Sequence, residues 1–231
     1  MIVEICASNF ESALAAEQGG ADRIELCTRL SVGGLSPPRD LIDKVFSEIN
    51  IPVHVLVRPR SGNFCFSELE IRSMTDTIAH CGSMGCAGIV SGVLTAEKRV
   101  DIEKTRRLIV AAEGMEFTFH RAFDECVEPM TSLDDLLQLG VDRLLSSGQQ
   151  LTAVDGLELL KTLMESSRDQ IEIMPGAGIN LSNVLTFKEA GFGSVHLSAI
   201  KKTGPARSLF DNGVEGISDL HTITEIVKLV R

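Results

Sequence analysis

The chain has 231 residues, 44% of them hydrophobic and 23% charged, the composition of an ordinary globular protein long enough to bury a full core. A formal net charge of −10 argues against binding a nucleic-acid backbone, and no apolar run approaches the roughly 20 residues of a membrane span. Six cysteines without CxxC or zinc-finger spacing exclude a disulfide scaffold and point to free thiols in a reducing compartment.

A strand pattern opens the chain at Ile2–Cys6, directly behind Met1, which leaves no room for a leader peptide and predicts a cytoplasmic protein. An amphipathic stretch then runs into Gly20, and Gly20-Ala-Asp-Arg-Ile-Glu-Leu-Cys27 has the form of a helix stop, a polar step and a strand. Val53–Arg58 is the third strand pattern, after which the unit returns as Gly85-Cys-Ala-Gly-Ile-Val-Ser-Gly92. Glu116–His120 is followed by Gly140-Val-Asp-Arg-Leu-Leu-Ser-Ser147, and Ile171–Pro175 by Gly191-Phe-Gly-Ser-Val-His-Leu-Ser198. In each copy an apolar residue stands four positions after the glycine (Ile24, Ile89, Leu144, Val195), which makes this an internal repeat. Strands alternating with helices imply parallel pairing with right-handed crossovers, and no Pro- or Ser-rich linker divides the chain. Eight units of about 29 residues predict an α/β fold, a single-domain (β/α)₈ TIM barrel over residues 1–231.

Side chains alternate across a strand, and the helix-facing side of a parallel barrel must be apolar. Val3 and Ile5 therefore face the helices and leave Glu4 and Cys6 in the lumen, while Ile24 and Leu26 leave Glu25 and Cys27 there. The same rule turns Arg58, His120, His196 and Ser198 inward, and the layer at the strand ends becomes Cys6, Cys27, Arg58, Gly92, His120, Ser147, Gly176 and Ser198. Barrel lumens are normally filled by branched aliphatics, so a polar layer at the C-terminal ends of the strands marks a site.

Placed at equal heights on neighbouring strands, Cys6 and Cys27 can bring two sulfurs to one soft ion such as Cu(I), or they can pack as small hydrophobes. Glu4 and Glu25, one layer below, can share a proton for acid–base chemistry, or Arg58 and His196 can neutralise them in a structural ion-pair network. His120, with Asp124 as its orienting partner, is the third candidate for proton transfer. Arg58, Arg60 and Arg121, with the Gly-rich turn Gly176-Ala-Gly178 leading into a helix at Asn180 or Ser182, predict a site for a small anion, phosphorylated metabolites included. His54 and His80 are expected to be structural or solvated, and Cys81, Cys86 and Cys126 to be packing residues or surface thiols. The segment Lys201–Gly216, long and carrying Leu209 and Phe210, predicts a homodimer or a cover over the barrel mouth.

With Glu4-Ile-Cys6, Arg58-Pro-Arg60, Phe119-His-Arg-Ala-Phe-Asp124, Met174-Pro-Gly176 and His196-Leu-Ser-Ala199 added to the Gly20–Cys27 repeat, the sequence resembles the CutC copper-homeostasis family over nearly its whole length. The resemblance implies a TIM barrel of the cytoplasm and copper binding at the two cysteines that match Cys6 and Cys27. The chain departs from the family pattern after Arg60, where it runs Ser-Gly-Asn-Phe-Cys-Phe, and in strand 7, where Gly-Ala-Gly replaces a triple glycine. Two functional expectations result. One is a copper-homeostasis protein holding Cu(I) between Cys6 and Cys27; the other is an enzyme using Glu4, Glu25 and His120 on an anion held at a site of Arg58, Arg60, Arg121, Asp124, Gly176, Gly178, His196 and Ser198.

Overall fold

The glycines that head the four repeats, Gly20, Gly85, Gly140 and Gly191, all adopt left-handed φ of 80°, 78°, 72° and 91°. Glycine alone enters that region without strain, so each ends the preceding helix and starts a strand three residues later. The computed structural model describes residues 1–200 and 216–231. Its order is β1 (Ile2–Ala7), α1 (Phe10–Gln18), β2 (Arg23–Leu26), α2 (Arg39–Glu48), β3 (Val53–Leu56), α3 (Glu68–Ser83), β4 (Gly88–Ser91) and α4 (Ile102–Ala111). The second half continues with β5 (Glu116–Phe119), α5 (Pro129–Leu139), β6 (Arg143–Ser146), α6 (Leu157–Ser167), β7 (Glu172–Pro175), α7 (Val184–Glu189), β8 (Ser194–Leu197) and α8 (Leu220–Val230).

The eight strands pair in parallel in the order β7-β6-β5-β4-β3-β2-β1-β8, with the ring closed between β7 and β8 by the bridge Gly176↔His196. This is the (β/α)₈ barrel expected from the repeat. The helix-facing residues Val3, Ile5, Ile24, Leu26, Val55, Ile89, Phe117, Leu144 and Val195 are buried in one continuous layer beneath the helices. Inside the ring, Cys6, Cys27, Leu56 and Val90 form a separate apolar cluster with Leu30 packed on it. Among the described residues no helix is long and apolar enough to cross a membrane.

The register corrects one expectation. Glu4 lies opposite Arg23, and Cys6 lies opposite Glu25, so the two Glu-x-Cys segments are not level but staggered by two residues. The stagger is the shear that tilted strands need to close a barrel. Residues 201–215, which carry most of the Lys201–Gly216 segment expected to cover the mouth or mediate dimerisation, lie outside the described residues.

Candidate functional site

The lumen is built in two storeys by the alternation of each strand. On the lower one, Arg143 of β6 donates to Glu172 at 2.7 Å, Thr118 at 3.1 Å and Glu116 at 3.1 Å. His54 of β3 stands 3.3 Å from the same Glu116 carboxylate, 1% exposed, in the structural role expected of it. Arg23 of β2 donates through Nε to Glu4 of β1, whose other oxygen accepts from His196 Nδ1 at 2.7 Å. Glu4 is therefore neutralised by Arg23 and His196; Arg58, expected as a partner, does not reach it.

His196 links this storey to the next, because its Nε2 stands 3.4 Å from Glu25 Oε2. Burial works against a charged imidazole here, but Glu25, Cys6 and Glu4 outweigh it and hold His196 protonated well above its usual range. Burial would likewise raise Glu4, yet the bond and charge of His196 and the charge of Arg23 hold it well below the ordinary carboxylate range. Glu25 keeps a raised value, since burial and the charge of Glu4 together exceed the pull of His196.

Directly above, Cys6 Sγ and Cys27 Sγ are 3.5 Å apart, and both residues are buried. A metal–thiolate bond of about 2.3 Å lets one ion bridge sulfurs up to about 4.6 Å apart, so the pair has the span for a soft ion. Cys6 Sγ also lies within 4.8 Å of donor atoms of Glu25 and His196. An imidazolium held by carboxylates at both nitrogens has no lone pair to offer, so the soft-metal donors are the two sulfurs. The contact with Cys27 and burial push the Cys6 thiol well up, and an entering ion must displace its proton.

A cavity of about 310 Å³ opens above Cys6 and Glu25. Its walls are Leu30, Leu56, Leu145, Ile179 and Leu197 on the apolar side and Arg58, His120, Arg121, His196 and Ser198 on the polar side, with Phe64 between. Arg58 clamps the loops around it, donating to the carbonyls of Val32 at 2.9 Å, Gly34 at 3.2 Å and Gly62 at 2.9 Å, while its guanidinium lies 4.6 Å from the Phe64 ring centre. His120 packs edge-on to the same ring at 5.0 Å. Its position depends on Gly92: a Cβ there would stand 2.7 Å from His120 Nδ1.

Other expected residues are placed differently. Asp124 does not orient His120, whose Nδ1 instead accepts from the Ala122 N–H at 3.2 Å; Asp124 binds Arg121 at 2.8 Å, Ser146 Oγ at 2.6 Å and Ser147 Oγ at 2.9 Å. Burial and the charge of Arg58 lower His120 to about 3, so it is neutral rather than poised to titrate. Arg60 turns away from the cavity onto Glu70 of α3 and the Cys65 carbonyl, drawn by the capping box that already fixes Glu70 over Ser67. The Gly176 N–H bonds to Ser146 O at 2.9 Å as part of the barrel wall, which leaves Gly178 and Ala177 as the cavity residues of that turn. The helix after it starts at Val184, not at Asn180 or Ser182, because Asn180 folds into a turn closed by its own bonds to Gly178 and Ser182. Cys81, Cys86 and Cys126 are buried.

Arg23 and Phe64 escaped the sequence reading. Arg23 stands two positions before Glu25 and shares its side of the strand, so the period that placed Glu25 also places Arg23; it was hidden in the polar step after Gly20. Phe64 lies in a loop, where no period applies.

A family model described as the CutC family matches residues 1–201. A CutC family protein of Histophilus somni (strain 2336) is 46% identical over 200 residues, covering 86% of this chain and 82% of that protein. One from Proteus mirabilis (strain HI4320) is 44% identical over 217 residues, covering 94% and 86%. Among solved structures, CutC from Streptococcus agalactiae, named for copper homeostasis, superposes with a TM-score of 0.81 at 31% identity, covering 86% of this chain and 98% of that one. Thiamine phosphate pyrophosphorylase from Pyrococcus furiosus, at 16% identity, TM-score 0.63 and coverage of 99% and 95%, shares the fold alone.

Proposed function

The chain belongs to the CutC family, whose name in the S. agalactiae relative is tied to copper homeostasis, and on that premise we propose that it holds Cu(I) between Cys6 and Cys27. The observation that carries this is the 3.5 Å approach of two buried sulfurs, one of which lines a cavity open to the strand ends. The two sulfurs are soft donors, which favours a monovalent thiophilic ion over a hard divalent one, with one Glu25 carboxylate oxygen within 4.8 Å of Cys6 Sγ. The apolar cluster of Leu56, Val90 and Leu30 around the sulfurs keeps water from competing for the ion. Titration of reduced protein against a colorimetric Cu(I) chelator tests the proposal. About one Cu(I) per chain is expected, lost in Cys6→Ser and Cys27→Ser and kept in Cys81→Ser and Cys86→Ser. Equal uptake by the Cys6/Cys27 double variant would end it. The same proposal keeps the protein in the cytoplasm as a homodimer, which cell fractionation and light scattering check.

One observation favours acid–base chemistry on a small ligand as a second function. Glu25 lines the cavity with its carboxyl raised, a proton donor at the foot of a ligand-sized space. Glu4, held ionised, and His120, held neutral, contribute orientation and hydrogen bonding to that chemistry rather than proton transfer.

A further inference from the structure

Two buried donors on the cavity wall have no partner among the described residues: Arg58 Nε and His120 Nε2. The residues that carry them are 6% and 5% exposed, and both line the cavity. An unmade hydrogen bond from a buried donor costs about 1–3 kcal/mol, and two on residues that line one cavity point to a ligand's acceptors there. The tautomer of His120 is set by its neighbour: Nδ1 accepts from the Ala122 N–H, so the ring proton of the neutral imidazole sits on Nε2 and can only donate. Phe64 packs against both side chains, at 4.6 Å from the guanidinium and 5.0 Å from the imidazole ring centre.

The charges select the ligand class. Arg121 is matched by Asp124, and Arg23 and His196 face Glu4 and Glu25. Among the described residues the Arg58 guanidinium hydrogen-bonds only to carbonyls, and Glu125 offsets it only through space. Among the described residues one positive charge is therefore left without a contacting counter-ion, and His120 adds a donor without adding charge. A single cation with two single-proton donors suits the −1 charge and paired oxygens of a carboxylate; a phosphate dianion needs more of both. The rest of the wall is aliphatic, from Leu30, Leu56 and Ile179.

We propose that this cavity binds a small organic monocarboxylate, its oxygens accepting from Arg58 Nε and His120 Nε2 and its hydrocarbon part lying against Leu30, Leu56 and Ile179. The site shares its cavity, Leu30 and Leu56 with the proposed copper site but takes no donor from either sulfur. Reduced, metal-free, full-length protein is titrated with benzoate and with hexanoate, alongside benzamide and inorganic phosphate, by calorimetry and thermal shift. Both carboxylates should bind saturably and raise Tm, the amide and phosphate should not, and the His120 Nε2–H resonance should move with benzoate. His120→Phe, which keeps the packing on Phe64 and removes the donor, should weaken benzoate about tenfold; Arg58→Lys serves as the second variant should His120→Phe fail to fold. Cys27→Ser should leave benzoate affinity unchanged, so loss of the copper function and loss of this site are separate results. Absence of saturable carboxylate binding, phosphate binding as tightly as benzoate, or wild-type benzoate affinity in His120→Phe and Arg58→Lys would each overturn the proposal.

Discussion

The lower and upper storeys of the barrel hold similar side chains and treat them differently. Below, each carboxylate meets a cation: Glu4 meets Arg23 and His196, and Glu116 and Glu172 both meet Arg143, with His54 beside Glu116. Above, Arg58 and His120 keep a free donor each, and Cys6 has a thiol pushed up rather than ionised. A lumen of saturated charges supports the wall, whereas a lumen of unsaturated donors is unfinished without a ligand. Residue type alone does not separate the two storeys, and neither does hydrogen-bonding alone, since among the described residues His54 Nδ1 below also lacks a partner; the pairing of charge does.

The sharpest way to break that contrast is to unbalance the lower storey. Glu4→Gln leaves Arg23 and His196 facing an uncharged amide, and should lower stability by about 3–5 kcal/mol in urea unfolding. A loss below about 1 kcal/mol would mean that the lower network is no more structural than the upper. Its pH window follows from the shifts. Glu4 is lowered from 4.5, so its contribution is complete above pH 4.5 and is lost as pH falls through its folded value. His196 is raised from 6.5, so its contribution is complete below pH 6.5 and is lost as pH rises through its folded value. The stability that wild type gains over Glu4→Gln should therefore be greatest between those limits.

A smaller effect belongs to the upper storey. Because Cys6 carries its proton at neutral pH, Cu(I) affinity should rise by up to about tenfold per pH unit for each proton displaced, measured by chelator competition between pH 6 and 8. A flat profile would show that the thiols are already ionised. The smallest effect is expected outside both storeys: Arg60→Ala should cost no more than about 1 kcal/mol and leave benzoate binding intact, since its pair with Glu70 is partly solvated. A change in ligand affinity there would return Arg60 to the cavity.

Period-two alternation made the barrel and its lumen legible in the sequence, because facing depends on local chemistry that every strand repeats. What it could not supply was height. Cys6 and Cys27 looked level because their motifs match, yet shear places Cys6 beside Glu25, and this stagger lets His196 stand between Glu4 and Glu25. The loop residues were illegible for a different reason. Arg60 and Asp124 sit at the right distance along the chain from the site, but their partners, Glu70 in a capping box and the Ser146–Ser147 pair, are chosen by loop geometry that has no period. Phe64 was invisible on the same ground, although it organises the cavity wall.

The ring has a seam. Seven interstrand ladders each carry two or more paired positions, while β7 and β8 meet through the single bridge at Gly176 and His196. Across that gap the backbone does little of the holding, and the hydrogen bond of His196 runs the other way, to Glu4 of the first strand, so it ties β8 to β1 rather than to β7. A barrel fastened in this way opens by unzipping along one side rather than by expanding evenly. In native-state hydrogen exchange the amides beside the seam should be the first of the wall to exchange, with free energies well below that of global unfolding. The same breathing would widen the cavity that Cys6 lines from its side as well as from its mouth.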